Sequence, residues 1–144
     1  MGISDDAVEV RAQGWRRLAA LHQLIESRLE KALQAEHGLS VVEFTVLDAL
    51  SRQDGFHLRM TQLSRAAGLS PSASTRLVNR LEGRGFLTRV LCADDRRGIY
   101  TELTRAGRAA LRKARPTHDA VLEEALTEAE HTPELADLVK AVTS

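Results

Sequence analysis

The run Gly68-Leu69-Ser70-Pro71 leaves the surrounding chain few ways to fold. Gly takes a left-handed helix-ending position at little steric cost. Ser caps a new helix, and Pro suits the first helical position, where its missing N–H removes nothing. One helix therefore ends at Gly68 and another starts at Pro71, with Leu69 as an apolar plug in the corner. Upstream, Thr61 is the expected cap of the first helix, and Leu63, Ala66 and Ala67 form its apolar face. Downstream, at about 100° per residue, Ala73, Ser74, Leu77, Val78 and Leu81 share one side. Ser72, Thr75, Arg76 and Asn79 fall opposite, with Arg80 and Glu82 on the flanks. The spacing predicts a helix-turn-helix corner.

The outward set consists of short hydroxyls, an amide and guanidinium groups, the side chains that bond phosphates and base edges in a major groove. An ordinary surface helix also turns polar residues outward, so the pattern alone leaves both readings open. The next stretch separates them. Phe86 to Cys92 is apolar and β-branched enough for a strand, and Ile99, Thr101 and Leu103 alternate onto one face of another. Between them Ala93-Asp94-Asp95-Arg96-Arg97-Gly98 makes a polar hairpin tip with two arginines. That is a wing, holding cations beside the two-faced helix.

In order along the chain come L-S-x-x-E-F, L-S-R-A-A-G-L-S-P-S, T-R-L-V-N-R-L-E-x-R-G-F-L, D-D-R-R and L-T-x-x-G. From about Leu39 to Gly107 this resembles the MarR family of bacterial winged-helix regulators. The resemblance implies a mainly α fold with a small β-hairpin wing. Residues 39–107 would be the winged helix-turn-helix lobe, and the helices of 1–38 and 108–144 would interlock two subunits, all within one domain. It also implies that Asp95 and Arg97 brace the wing and that a wing arginine enters the minor groove. Relatives often carry Asp where Asn79 stands. A small aromatic or phenolic ligand bound between the dimerisation helices and the lobe is implied as the effector, with Trp15, His22 and Phe44 as candidate liners. The same three side chains also read as plain core.

Charge distribution agrees with a nucleic-acid partner. The net charge is zero over 144 residues, yet Arg59 to Arg97 carries eight Arg against Glu82, Asp94 and Asp95, a local +5. The preceding residues sum to −3 and the following ones to −2. A basic stripe of this kind is a phosphate-binding footprint. Arg without Lys favours forked contacts to phosphate or guanine. With only Trp15, Tyr100 and three Phe, base stacking on single strands is not expected.

From about Ala7 to Glu36 the apolar residues Val8, Trp15, Leu18, Leu21, Leu29 and Leu33 recur at helical spacing. Such a long stripe at the edge of a small fold is expected to be buried in a second subunit. Ser40-Val41-Val42-Glu43 is a capping box opening a helix with Phe44, Leu47 and Leu50 inward. Phe56 to Met60 is an extended piece suited to pair with the wing. Thr104 is the expected cap of a further helix, which Pro116 should kink or break near Arg115. Thr132-Pro133-Glu134 should open a last helix carrying Leu135, Leu138 and Val139.

Enzyme and metal signatures are absent from the pattern. The five His stand in no H-x-x-x-H or H-E-x-x-H array, the single Cys92 in no C-x-x-C, and no Gly-rich phosphate loop or nucleophile elbow occurs. No catalytic residue, metal or cofactor is expected. Cys92 reads as a small apolar strand residue, or as a thiol activated by a neighbouring Arg. One cysteine suits a reducing cytoplasm, and no stretch has the roughly 18 apolar residues of a membrane span.

The sequence therefore leads to a homodimeric, sequence-specific regulator of transcription, a repressor on a palindromic duplex operator. Thr75, Arg76, Asn79 and Arg80 would face bases or phosphates in the major groove, and Ser72 would hold phosphate at the helix N-terminus. Arg96 and Arg97 would reach the flanking minor groove. The competing reading is a winged-helix module that offers its basic face to an acidic protein.

Overall fold

Backbone chemistry sets the element boundaries. In the computed structural model, which describes residues 5–92 and 95–144 (side chains of 92 and 95–97 apart), six helices and three strands follow in order. They are α1 (Asp5–His37), α2 (Val41–Ser51), β1 (His57–Arg59), α3 (Met60–Ala67), α4 (Pro71–Gly83), β2 (Leu87–Cys92), β3 (Asp95–Leu103), α5 (Arg105–Glu130) and α6 (Ala136–Thr143). A 3₁₀ turn, Asp54–Phe56, leads into β1. The three strands form an antiparallel sheet in the order β1-β3-β2. The extended piece before α3 thus pairs with the wing, Leu58 facing Thr101 across the ladder.

The chain divides into two compact units. One takes the chain up to Ala32 and again from Thr117 to Ser144; the other is Leu33–Pro116. The second is organised by the corner. Gly68 adopts φ 66° and ψ 35°, and the Leu69 N–H bonds the Ser64 carbonyl at 2.9 Å to close α3. Ser70 accepts from the Ala73 N–H at 3.2 Å and Pro71 takes the first turn of α4. Leu77, Val78 and Leu81 then enter a core with Leu33, Leu39, Val46, Leu47, Leu50, Leu63 and Leu87. In the terminal-helix unit, Leu21 packs with Ala129, Leu135 and Val139, and Arg28 pairs with Glu128 at 2.8 Å.

Four details differ from expectation. α3 begins at Met60, not after Thr61, because the Gln62 side chain takes the Arg59 N–H at 3.0 Å and β1 runs straight into the helix. Ala66 is exposed, leaving Leu63 as the buried residue of α3. α5 continues through Pro116. Proline deprives the Arg112 carbonyl of its helical donor, but Arg112 and Pro116 are both exposed, so water can serve that oxygen. Finally, Thr132-Pro133-Glu134 forms a turn ahead of α6, with the Leu135 N–H bonded to the Thr132 carbonyl at 2.9 Å.

The wing ladder is also longer than the alternation indicated. β3 starts at Asp95, its irregular pairing with Cys92 absorbed at Leu91/Cys92. Thr101 and Leu103 point into the core while Ile99 is exposed. At the base of the wing, Thr104 Oγ1 donates to the Gly85 carbonyl at 2.6 Å and accepts from the Gly107 N–H at 3.0 Å, capping α5 as expected. Gly107 itself is there for space: a Cβ would sit 2.0 Å from the Phe86 carbonyl oxygen. That contact gives the L-T-x-x-G motif its reason.

Candidate nucleic-acid interface

The outward face of α4 is built by its inward one. Once Ser74, Leu77, Val78 and Leu81 are buried, Ser72, Thr75, Arg76, Asn79 and Arg80 are all exposed on the same helix. Their polar atoms differ in availability. The Thr75 hydroxyl donates to the Pro71 carbonyl at 3.0 Å, so it faces outward as an acceptor with a methyl group. Ser72 Oγ lies 3.4 Å from the capping Ser70 Oγ in the first turn. Arg76 makes no side-chain bond to a described residue, which leaves its planar fork of donors to a partner.

Asn79 and Arg80 are held. Asn79 Oδ1 accepts a hydrogen bond from the Arg89 guanidinium, and Arg89 also pairs with Glu82 at 3.3 Å. Arg80 lies 3.6 Å from Glu43, and Arg84 donates to the same carboxylate at 3.3 Å and to the Gly38 carbonyl at 2.9 Å. Glu43 is buried. Its other oxygen accepts from the Ser40 N–H at 2.8 Å, completing the capping box of α2. A buried carboxylate is tolerable only when its lone pairs are taken, and here cap and arginines take them. Arg84 also lies 4.7 Å over the Phe86 ring. The recognition helix is thereby fastened at its C-terminal end to α2 and β2.

Sequence reading missed Glu43, Arg84 and Arg89 as determinants of this face. Arg80 and Arg84 stand one helical turn apart, which hints at a shared partner. Nothing local announces Arg89, since its contact with Asn79 depends on how β2 docks against α4. At the wing, Arg59 Nε donates to the Tyr100 hydroxyl at 2.9 Å, and its guanidinium lies 5.4 Å over that ring. The side chains of Asp95, Arg96 and Arg97 lie outside the described residues. The effector candidates fall in different units: Phe44 is 4% exposed in the core of the Leu33–Pro116 unit, whereas Trp15, 68% exposed, belongs to the terminal-helix unit. His22, on the same helix as Trp15, is exposed and sits 3.7 Å from Glu26.

A second charged cluster lies away from α4. Asp48 is bonded by Arg52 at 2.9 Å and Arg115 at 2.8 Å. Burial pushes its carboxyl up, but the hydrogen bonds and charges of the two arginines outweigh burial and hold it below the usual range.

These features define a winged helix-turn-helix protein with a polar recognition helix. The MarR family profile matches residues 37–98. The transcriptional repressor MprA of Escherichia coli K12 is 34% identical over 94 residues, 65% of this chain and 52% of that protein. Sco3205, a MarR family transcriptional regulator from Streptomyces coelicolor solved in complex with DNA, superposes with TM-score 0.76. It is 28% identical, covering 99% of this chain and 88% of that one. CouR from Rhodococcus jostii RHA1, solved bound to p-coumaroyl-CoA, gives TM-score 0.65 and 30% identity over 72% of this chain and 71% of that one. The chain belongs to the MarR family. It spans about half the length of the Escherichia coli repressor it matches.

Proposed function

We propose that the protein is a homodimeric repressor that binds a palindromic duplex operator through α4 and the wing. The observation that carries this reading is the division of α4. Its apolar side is locked into the core, while Ser72, Thr75, Arg76, Asn79 and Arg80 stand together in solvent within the +5 stretch. Ser72 at the helix N-terminus would hold phosphate, Thr75 and Arg76 would meet base edges, and Arg80 would serve the backbone from its tether on Glu43. Arg96 and Arg97 would follow the wing to the minor groove, with Asp95 directing Arg97. Sco3205 has been solved on DNA, which supports the same use of this fold here.

Dimerisation would be the work of the terminal helices, whose Val8, Val10, Trp15, Leu18 and Val142 are exposed in the single chain. Pairing them would relate two α4 helices by one two-fold axis and so require a palindrome. CouR was solved with a phenolic acyl thioester, and an aromatic effector of that kind would release the operator here. The protein would act in the cytoplasm without an enzymatic activity of its own. Fluorescence anisotropy with the duplex flanking its own gene, against a scrambled duplex of equal length, tests the reading. Selective binding is expected. Equal binding to both duplexes, or binding only to acidic protein, would remove it.

A further inference from the structure

We propose that Arg89 fixes which chemical face Asn79 shows to DNA, making Asn79 a donor-only reader. The inference rests on the proposed role of α4 in the major groove. A guanidinium has donors and no acceptor, so the atom of Asn79 that meets Arg89 must be the amide oxygen. Glu82 holds the same guanidinium from the other side at 3.3 Å, so Arg89 is anchored at both ends. Asn79 is exposed, and with its oxygen committed it turns its NH₂ group outward.

A free asparagine reads adenine with both ends of its amide, accepting from N6–H and donating to N7. Arg89 takes one of the two lone pairs of the Asn79 oxygen and holds that oxygen toward β2, which works against the side-by-side accept-and-donate geometry that adenine needs. Its two N–H groups instead match edges that carry acceptors alone, namely N7 and O6 of guanine or O4 of thymine. Arg89 is thus a positioning residue: it touches no base, yet it decides between adenine and guanine or thymine at the contacted position. Glu82 serves by keeping Arg89 from swinging to a phosphate.

The test uses the full chain and a randomised duplex pool. Duplexes selected by the wild type are resynthesised with all four bases at each position and measured with the wild type, Asn79→Ala, Asn79→Asp and Arg89→Leu. Asn79→Ala locates the contacted position by flattening its base preference. There the wild type should favour guanine or thymine, and replacing guanine by 7-deazaguanine should weaken binding on the order of tenfold. Arg89→Leu frees the oxygen and should move the preference toward adenine by a similar factor. Asn79→Asp keeps the Arg89 contact but has no donor, so it should move the preference toward cytosine or adenine even if Arg89→Leu folds poorly. A wild-type preference for adenine at that position would overturn the proposal. So would an Asn79→Ala variant that keeps every base preference, or an Arg89→Leu variant that folds and weakens all duplexes alike. Failure of the wild type to enrich any sequence would instead strike at the DNA-binding reading itself.

Discussion

In the Leu33–Pro116 unit, helices and sheet enclose Leu47, Leu50, Leu77, Val78 and Leu81 completely. In the terminal-helix unit, α1 leaves Val8, Val10, Trp15 and Leu18 in solvent, and α6 leaves Val142. The lobe closes its core within one chain, as a fold that must present a rigid face to a ligand should. The terminal helices bury only a narrow seam around Leu21, Ala129, Leu135 and Val139, and keep apolar area for another surface. Scattered exposed apolar residues are ordinary, but several on one long helix point to a partner. The contrast teaches that one chain carries both a finished module and an unfinished one.

The strongest way to break this contrast is a cavity in the finished module. Leu77→Ala removes a fully enclosed side chain and should cost about 2–5 kcal/mol. Its melting loss should not change with protein concentration. Gly107→Ala comes next. The new methyl meets the Phe86 carbonyl oxygen, a backbone atom that cannot rotate aside. A destabilisation at the upper end of about 1–3 kcal/mol is expected in urea titration. A neutral Gly107→Ala would mean that α5 and the wing can separate freely.

Trp15→Glu sharpens the other side of the comparison. It should leave the lobe folded but weaken subunit association by about 2 kcal/mol, the scale of a hot-spot aromatic. Sedimentation at low micromolar concentration would show it as a shift from twice the chain mass toward the single chain. An unchanged mass would place the dimer contact elsewhere. The smallest effect concerns Asp48. Its carboxyl is held below the usual range when folded, so its contribution is fully present above pH 3.8 and is lost as pH falls through the depressed value. Arg52 is largely and Arg115 partly solvated, which keeps that contribution below about 1 kcal/mol. Wild type should therefore lose its margin over Asp48→Asn in acid melts, and identical pH profiles would contradict the pairing.

What the sequence disclosed was what short-range chemistry decides. Gly68, Ser70 and Pro71 act on neighbouring peptide groups, and Ser40 with Glu43 forms a closed local ring of two bonds, so spacing alone identified both corners. Where a second element competes for the same group, spacing falls short. Thr61 looked like a cap until Gln62 met the N–H at the end of β1. Glu43 was legible as a cap residue, but its second oxygen, which gathers Arg80 and Arg84, depends on how α2 packs beneath α4. Asn79 was visible as an outward amide. Which of its two ends remained available was decided ten residues later by Arg89, across a docking of strand on helix that no periodicity encodes. Pro116 shows the converse, a strong local stop signal overridden where the helix is wet enough to hydrate the orphaned carbonyl.

The junction at Thr104 has a consequence for motion. Its N–H holds the Phe86 carbonyl at 3.1 Å, its hydroxyl holds the Gly85 carbonyl at 2.6 Å, and Gly107 lies flush against Phe86. The first turn of α5 and the turn leaving α4 are therefore one mechanical piece. Their amides should exchange deuterium together, in a single opening event, and neither end can breathe alone.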